Sequence, residues 1–298
     1  VLWNQHHISS DGWSAGLFTR ELSELYSTIS SGVASALAPL TIQYADFSCW
    51  QRDWLDGLGK AEQIAYWKQR LEGAPASLAL STDRPRPPVQ SFRGGAESVA
   101  LPADLSRALI ALGQQETATT YITLLGALNV LLYLHTGQTD IVVGSPTAGR
   151  TQGQTEHLIG FFLNTLALRV KVNPAASFRD LLGDVRTEVL GAFAHQEVPY
   201  EHITEALQVE RNLSRPPLYQ VMFNHQRASE ERLAFGDLQL APITARGTTS
   251  KFDLTLYSTE SPGQIGLRLV YNADLFESAT IAAMLARFLV LLEAIATN

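Results

Sequence analysis

The sequence predicts an α/β layered domain. Two observations carry that prediction. Segments with apolar residues at helical spacing alternate with short strand-like runs through much of the chain. The composition, 46% hydrophobic and 17% charged over 298 residues, is that of a globular chain and not a disordered one. That length fits one large domain or two smaller ones, enough to bury a substantial core. No segment repeats at a fixed period, and strand order does not follow from pattern alone.

Val1 to His7 reads as a short strand and Ile8 to Gly12 as a turn. Trp13 to Ile29 reads as a helix, because Phe18, Leu22, Leu25 and Ile29 recur at spacings of four, three and four. Ser10 or Asp11 is placed to cap it. Gly32 to Pro39 is a small-residue linker and a domain boundary candidate. Tyr44 to Trp54 and Glu62 to Leu71 are helices, the second stopped by Gly73. Asp83 to Pro88 is extended, since its prolines exclude helix. Ala96 to Leu101 is a strand and Leu105 to Gln115 an amphipathic helix. Thr119 to His135 is apolar nearly all round and should be central. Asp140 to Gly144 and Phe162 to Val172 are strands, with Ser145-Pro146 opening a polar loop between them. Phe178 to Ala194 is a helix. Tyr219 to Asn224, Lys251 to Ser258 and Ile265 to Tyr271 are strands, and Thr280 to Ala296 is a closing helix.

A net charge of −7 argues against nucleic acid and against an anionic membrane surface as partners. The single cysteine, Cys49, excludes a disulfide framework within the chain and fits a reducing, cytoplasmic setting. The longest apolar candidate, Tyr121 to Leu134, is interrupted by Thr123, Gly126 and Asn129, so no run reads as long enough to span a bilayer. No signal-peptide pattern opens the sequence. It begins without methionine inside an apolar segment, which reads as a piece of a longer protein.

The chemistry concentrates in His6-His7-x-x-x-Asp11-Gly12. On a strand, successive side chains point to opposite faces, so His6 and His7 cannot do the same job. Asp11 sits near a helix start, beside a glycine that permits an unusual backbone angle or a close approach. Most histidines are structural or solvated, and that reading competes for each of the seven here. His6, His7 and Asp11 are also metal-ligand types, but the adjacent pair diverges and no HExxH spacing or nearby cysteine supports zinc. A Ser-His-Asp triad lacks a G-x-S-x-G elbow.

The residues from His6 to Ser14 resemble the core motif of condensation domains of nonribosomal peptide synthetases. That motif is shared by other acyltransferases of the chloramphenicol acetyltransferase-like fold. Four further motifs follow in the family's order: Tyr44-Ala45-Asp46-Phe47-Ser48-Cys49-Trp50; Ile159 to Thr165 with Arg169; His195-Gln196-Glu197-Val198-Pro199-Tyr200-Glu201; and Arg211 to Leu218. The resemblance covers essentially the whole chain. Glu197 stands where aspartate is usual and Tyr200 where phenylalanine is common. The family's first two motifs lie upstream of the histidine pair and are absent. Epimerization domains share the histidine motif but differ later, and heterocyclization domains replace it. The later motifs look most like a domain accepting an L-configured donor.

The resemblance implies a chloramphenicol acetyltransferase-like lobe, a mixed sheet with flanking helices. Residues 1–35 would be a remnant of the N-terminal lobe, mostly missing, and residues 36–298 a nearly complete C-terminal lobe. The implied reaction joins a carrier-bound acyl or peptidyl thioester to a carrier-bound aminoacyl amine. Partners would be upstream donor and downstream acceptor peptidyl carrier proteins, with an adjacent adenylation domain. No cofactor is bound directly, since the substrates ride on the carriers' phosphopantetheine. By resemblance, His7 faces the tunnel as base or positioner and the Gly12 N–H is an oxyanion donor. His6 is structural at the site, as is Asp11, paired with Arg150. Trp13, Ser14 and Asn164 are candidate tunnel lining. His195 belongs to a shaped loop, and the Arg84 and Arg86 run reads as a solvated loop. As it stands, the chain is expected to be inactive. A catalytically silent docking module and a free-standing acyltransferase using a soluble thioester are the competing readings.

Overall fold

The computed structural model describes residues 3–210, 212–228, 235, 238 and 248–297. In chain order the elements are α1 (Gly12–Ser30), α2 (Tyr44–Asp56), α3 (Leu58–Leu71), β1 (Arg93–Ala100), α4 (Ala103–Gln115), α5 (Thr120–Thr136), β2 (Asp140–Thr147), β3 (Asn164–Lys171), α6 (Phe178–Ala194), α7 (Tyr200–Ala206), β4 (Val221–Arg227), β5 (Thr248–Thr249), β6 (Leu254–Ser261), β7 (Gln264–Asn272) and α8 (Ser278–Thr297). The strands form one open mixed sheet in the order β3-β2-β4-β6-β7-β1-β5. β2, β4 and β6 run parallel to one another. Their other neighbours are antiparallel.

The core lies between this sheet and its helices. α5 is buried nearly all round, as its sequence requires, and packs against β2, α4, α6 and α8. Leu124, Leu125 and Leu132 of α5 meet Val143, Phe223 and Phe288 in one apolar cluster. Each such side chain contributes roughly 1.5–3 kcal/mol by leaving water. Ser177 caps α6 by accepting from the Asp180 amide, and the Thr119 hydroxyl accepts from Ile122 at the start of α5. Gly137, in the left-handed region at φ 70°, ends α5.

Five expectations are corrected. Residues 3–7 form no strand; Val1 and Leu2 lie outside the described residues. A strand needs a ladder partner, and here the local donors are used locally: His6 Nδ1 accepts from the Ile8 amide and His7–Ser9 is a 3₁₀ turn. β2 continues through Ser145-Pro146 to Thr147, paired with β3 as far as Asn164. Pro146 is tolerated because the β2–β4 pairing is registered only at Gly144, with Met222. The short helix α7 went unpredicted. Arg84 is exposed as a solvated loop implies, but Arg86 is not solvated. Arg86 forms a bidentate pair with the buried Asp253 and donates to the Ser214 carbonyl, while Arg84 pairs with Glu277 at 3.0 Å, tying the proline-rich segment down. Finally, α8 is long and apolar enough to cross a bilayer, against the expectation that no run is. Ile281, Phe288 and Leu292 seat one face of it in the core against the sheet.

Gly144 is the tightest point of the central strands. A methyl group there would stand 2.2 Å from the ring of buried Tyr219. Gly144→Ala should therefore destabilise the domain by about 1–3 kcal/mol, through overpacking. Urea unfolding with an unchanged slope and a lower midpoint is the expected result, and an unchanged midpoint would show that Tyr219 can swing away.

Candidate active site

The turn before α1 sets the site. His7 Nδ1 lies 2.6 Å from the Ser10 carbonyl oxygen. A carbonyl only accepts, so Nδ1 carries the proton and Nε2 presents its lone pair. The His7 ring stands edge-on to Phe161 at 5.4 Å between centroids and is otherwise exposed. His6 is exposed too, so the expected division of the two histidines between opposite strand faces does not apply; without a strand there are no alternating faces. They differ in their bonding instead. His6 holds the Ile8 amide and its carbonyl accepts from the Ser9 amide and hydroxyl, so it shapes the turn that presents His7.

Asp11 is the N-cap of α1 and is buried. Its Oδ1 accepts from the Ser14 amide at 2.8 Å and its Oδ2 from the Phe162 amide at 3.0 Å. Arg150 Nη2 approaches Oδ1 at 3.5 Å, with both side chains almost sealed from water. Burial pushes the Asp11 carboxyl up. The Ser14 and Phe162 amides, with Arg150, outweigh it and hold the group below its ordinary 3.8. Arg150 also donates to the Thr155 and Leu158 carbonyls and to Ser14 Oγ at 2.9 Å, and its guanidinium lies 4.0 Å over the Phe162 ring.

Ser14 is not tunnel lining. It is fully buried, and its hydroxyl donates to the Gly160 carbonyl at 2.7 Å while accepting from the Gly160 amide at 3.0 Å. Position N3 of a capped helix faces inward here, toward the 148–163 loop. Trp13 is half-exposed and its Nε1 donates to the Glu156 carbonyl at 2.9 Å. Gly12, the first residue of α1, has no positive φ, and a methyl group there would meet nothing within 4 Å. The expected unusual angle and a close approach at its Cα are absent among the described residues; as a first-turn donor its N–H has no partner within the helix.

Asn164 brackets a second loop. Its Nδ2 donates to the Gln196 and Val198 carbonyls, both at 2.8 Å, and its Oδ1 accepts from the Thr165 and Tyr200 amides. It also lines a cavity of about 230 Å³. His195 packs flat on Tyr66 at 3.8 Å, and its Nδ1 meets the Gly191 carbonyl at 2.8 Å, so it closes α6 and shapes that loop. The Tyr44 hydroxyl donates to the Phe161 carbonyl at 2.7 Å. Asp46 caps its own helix by accepting from the Gln43 amide, and Trp50 is 40% exposed with its ring beside Phe47. Arg169 pairs with Asp140 and donates to the Arg70, Glu72 and Gly73 carbonyls, away from the turn. Arg211 lies outside the described residues.

The structure thus brings His7, Asp11, Ser14 and Arg150 together around residues 160–162. Sequence reasoning gives no role to Gly160, Phe161 or Phe162. Their signal is present as a motif, but backbone amides carry no residue-type mark.

A family model described as "Condensation domain" matches residues 1–298. The chain is 47% identical over 299 residues to one of the linear gramicidin synthase proteins of Brevibacillus parabrevis, covering 100% of this chain and 4% of that protein. It therefore spans a small part of that relative's length. Among solved structures it is similar to the X-domain from teicoplanin biosynthesis, at 28% identity and a TM-score of 0.87, covering 98% of this chain and 68% of that one. It is also similar to the same domain in a complex with OxyB, at 29% identity and a TM-score of 0.88, covering 98% and 66%.

Removing the Asp11 carboxylate strands a buried guanidinium. Asp11→Ala should cost about 3–5 kcal/mol of stability, read by chemical denaturation. The carboxyl is more acidic folded than unfolded, so its contribution is full above the ordinary value of 3.8 and is lost as pH falls through the lower folded value. Between mildly acid and strongly acid solution, Asp11→Ala should lose less stability than the parent; parallel acid-unfolding curves would contradict the assignment.

Proposed function

The chain belongs to the condensation-domain family of nonribosomal peptide synthetases, and from that membership we propose that it forms an amide bond between two carrier-bound substrates. A donor acyl or peptidyl group, held as a thioester, passes to the amine of an aminoacyl acceptor. The amine nitrogen attacks the thioester carbonyl, the carbon–sulfur bond breaks, and the thiol leaves on the donor arm. The observation that carries this reading is the orientation of His7. With Nδ1–H bound to the Ser10 carbonyl, Nε2 is free to accept a proton from the amine as it attacks and return it to the departing thiolate, or to hold the amine in line. Thioesters are already activated, so positioning counts beside proton transfer. The Gly12 N–H, a first-turn donor with no partner within the helix, is the candidate for the oxyanion. His6, Asp11 and Arg150 support the turn and touch no reacting atom.

On the same reading residues 1–35 belong to an N-terminal lobe and residues 36–298 to the C-terminal lobe. The partners are upstream and downstream peptidyl carrier proteins and an adenylation domain, the phosphopantetheine arms are theirs, and the setting is cytoplasmic. The likeness to an X-domain solved in a complex with OxyB favours one second reading, a domain that recruits a protein without forming bonds. The organised His7 turn counts against it, since docking has no use for an oriented lone pair.

The test uses the chain in its intact synthetase module with two loaded carrier proteins, read by intact mass spectrometry. His7→Ala should stay folded and lose about 10²–10⁴-fold in product formation. Equal product from both would remove His7 from the chemistry. A folded parent that makes no product with several substrate pairs would favour recruitment, and full activity with a soluble pantetheine thioester would favour a free-standing acyltransferase.

A further inference from the structure

Two sequence motifs that the His7 chemistry does not use, the aromatic run of α2 and the 195–201 loop, face one another across the cavity of about 230 Å³. Tyr44, Trp50 and Trp54 line it from α2, Phe161 from the site loop, and Glu197 and Glu201 from the loop before and within α7. Aromatic residues make up seven of its seventeen lining residues, against 9% of the chain. That concentration exceeds what packing needs, because Trp50 remains 40% exposed and Trp54 is only half-buried. Two carboxylates contribute negative charge, and among the described residues no lysine, arginine or histidine lines the cavity to neutralise them. Arg150 lies nearby under Phe162, but its Nη1 and Nη2 are taken up by Asp11, Ser14 and two carbonyls, and its Nε is buried.

Ring faces carry negative quadrupole charge and attract cations, most strongly when carboxylates share the site. An anionic phosphopantetheine or a second carboxylate would be repelled by Glu197 and Glu201. A neutral apolar group would leave the charge of both carboxylates unneutralised. We propose that this cavity is a binding site for an organic cation, an alkylammonium or guanidinium group. The Glu197 carboxylate is held in place by the Thr151 hydroxyl at 3.2 Å, and the Tyr44 hydroxyl fixes the Phe161 backbone that forms the opposite wall. The cation arrives either as a free small molecule or as a basic side chain of a partner protein. The proposal concerns binding and is independent of the amide-forming reading.

The test titrates the chain with N-acetyl-L-arginine amide and with its uncharged counterpart N-acetyl-L-citrulline amide, following the indole N–H resonances of Trp50 and Trp54. The arginine compound should bind about tenfold more tightly and weaken with added salt. The double variant Glu197→Gln, Glu201→Gln should lose that preference while keeping the thermal midpoint. Trp50→Leu should weaken arginine binding roughly two- to fivefold. A peptide with arginine between alanines that binds more tightly than the single residue points to a partner's side chain, and one that binds more weakly points to a free cation; both support the site. Equal affinity for the charged and neutral compounds, absence of binding by the arginine compound, or an unaltered preference in the glutamine variant would overturn it.

Discussion

A carboxylate closed off from water has to be fully hydrogen-bonded, and Asp11 meets that demand with groups from two distant stretches of chain. Its oxygens take amides from the start of α1 and from Phe162, and Arg150 supplies the counter-charge. Ser14 completes the knot by binding both Gly160 backbone groups and Arg150. The cost of leaving any of these groups unpaired makes the arrangement close to all-or-none. The His7 turn, immediately before Asp11, inherits its position from that knot.

The fold delivers the partners. Parallel β2, β4 and β6 over α5 form a rigid apolar centre, and the loop leaving β2 carries Arg150 to the sheet end while the chain entering β3 returns with residues 160–162. Gly149, at φ 64° and pressed against the Phe162 carbonyl, admits no side chain, so the loop can close over Arg150. Arg150 is thus held by the Thr155 and Leu158 carbonyls on one side and holds α1 on the other. The same loop, through Phe161, forms a wall shared by the His7 ring and the aromatic cavity.

Much of this is legible in the sequence where periodicity is strong. The spacing in Phe178–Ala194 gives the helix its observed bounds, and α5 reads as central because it has no polar face. β4, β6 and β7 are legible with starts displaced by up to three residues, because flanks such as buried Tyr219 and partly buried Phe252 look like strand without pairing in a ladder; the two-residue β5 is not legible. The opening segment misleads, since an apolar run next to a histidine pair reads as strand until the local bonds of His6 are seen. Motif order leads to Asp11 and Arg150 and to their contact. It cannot separate Ser14, sealed inside, from Trp13 one residue earlier at the surface, because burial in a first helical turn depends on what packs against it.

This knot presents His7 as one tautomer, protonated on Nδ1 and open on Nε2. Long-range ¹H–¹⁵N spectra of the imidazole side chains, recorded at alkaline pH where the rings are neutral, test it directly, with His7 assigned by its loss in His7→Ala. His7 should be an Nδ1–H tautomer in the parent and a mixture when Arg150 is replaced by methionine. An Nε2–H tautomer in the parent, or a spectrum indifferent to Arg150, would contradict it.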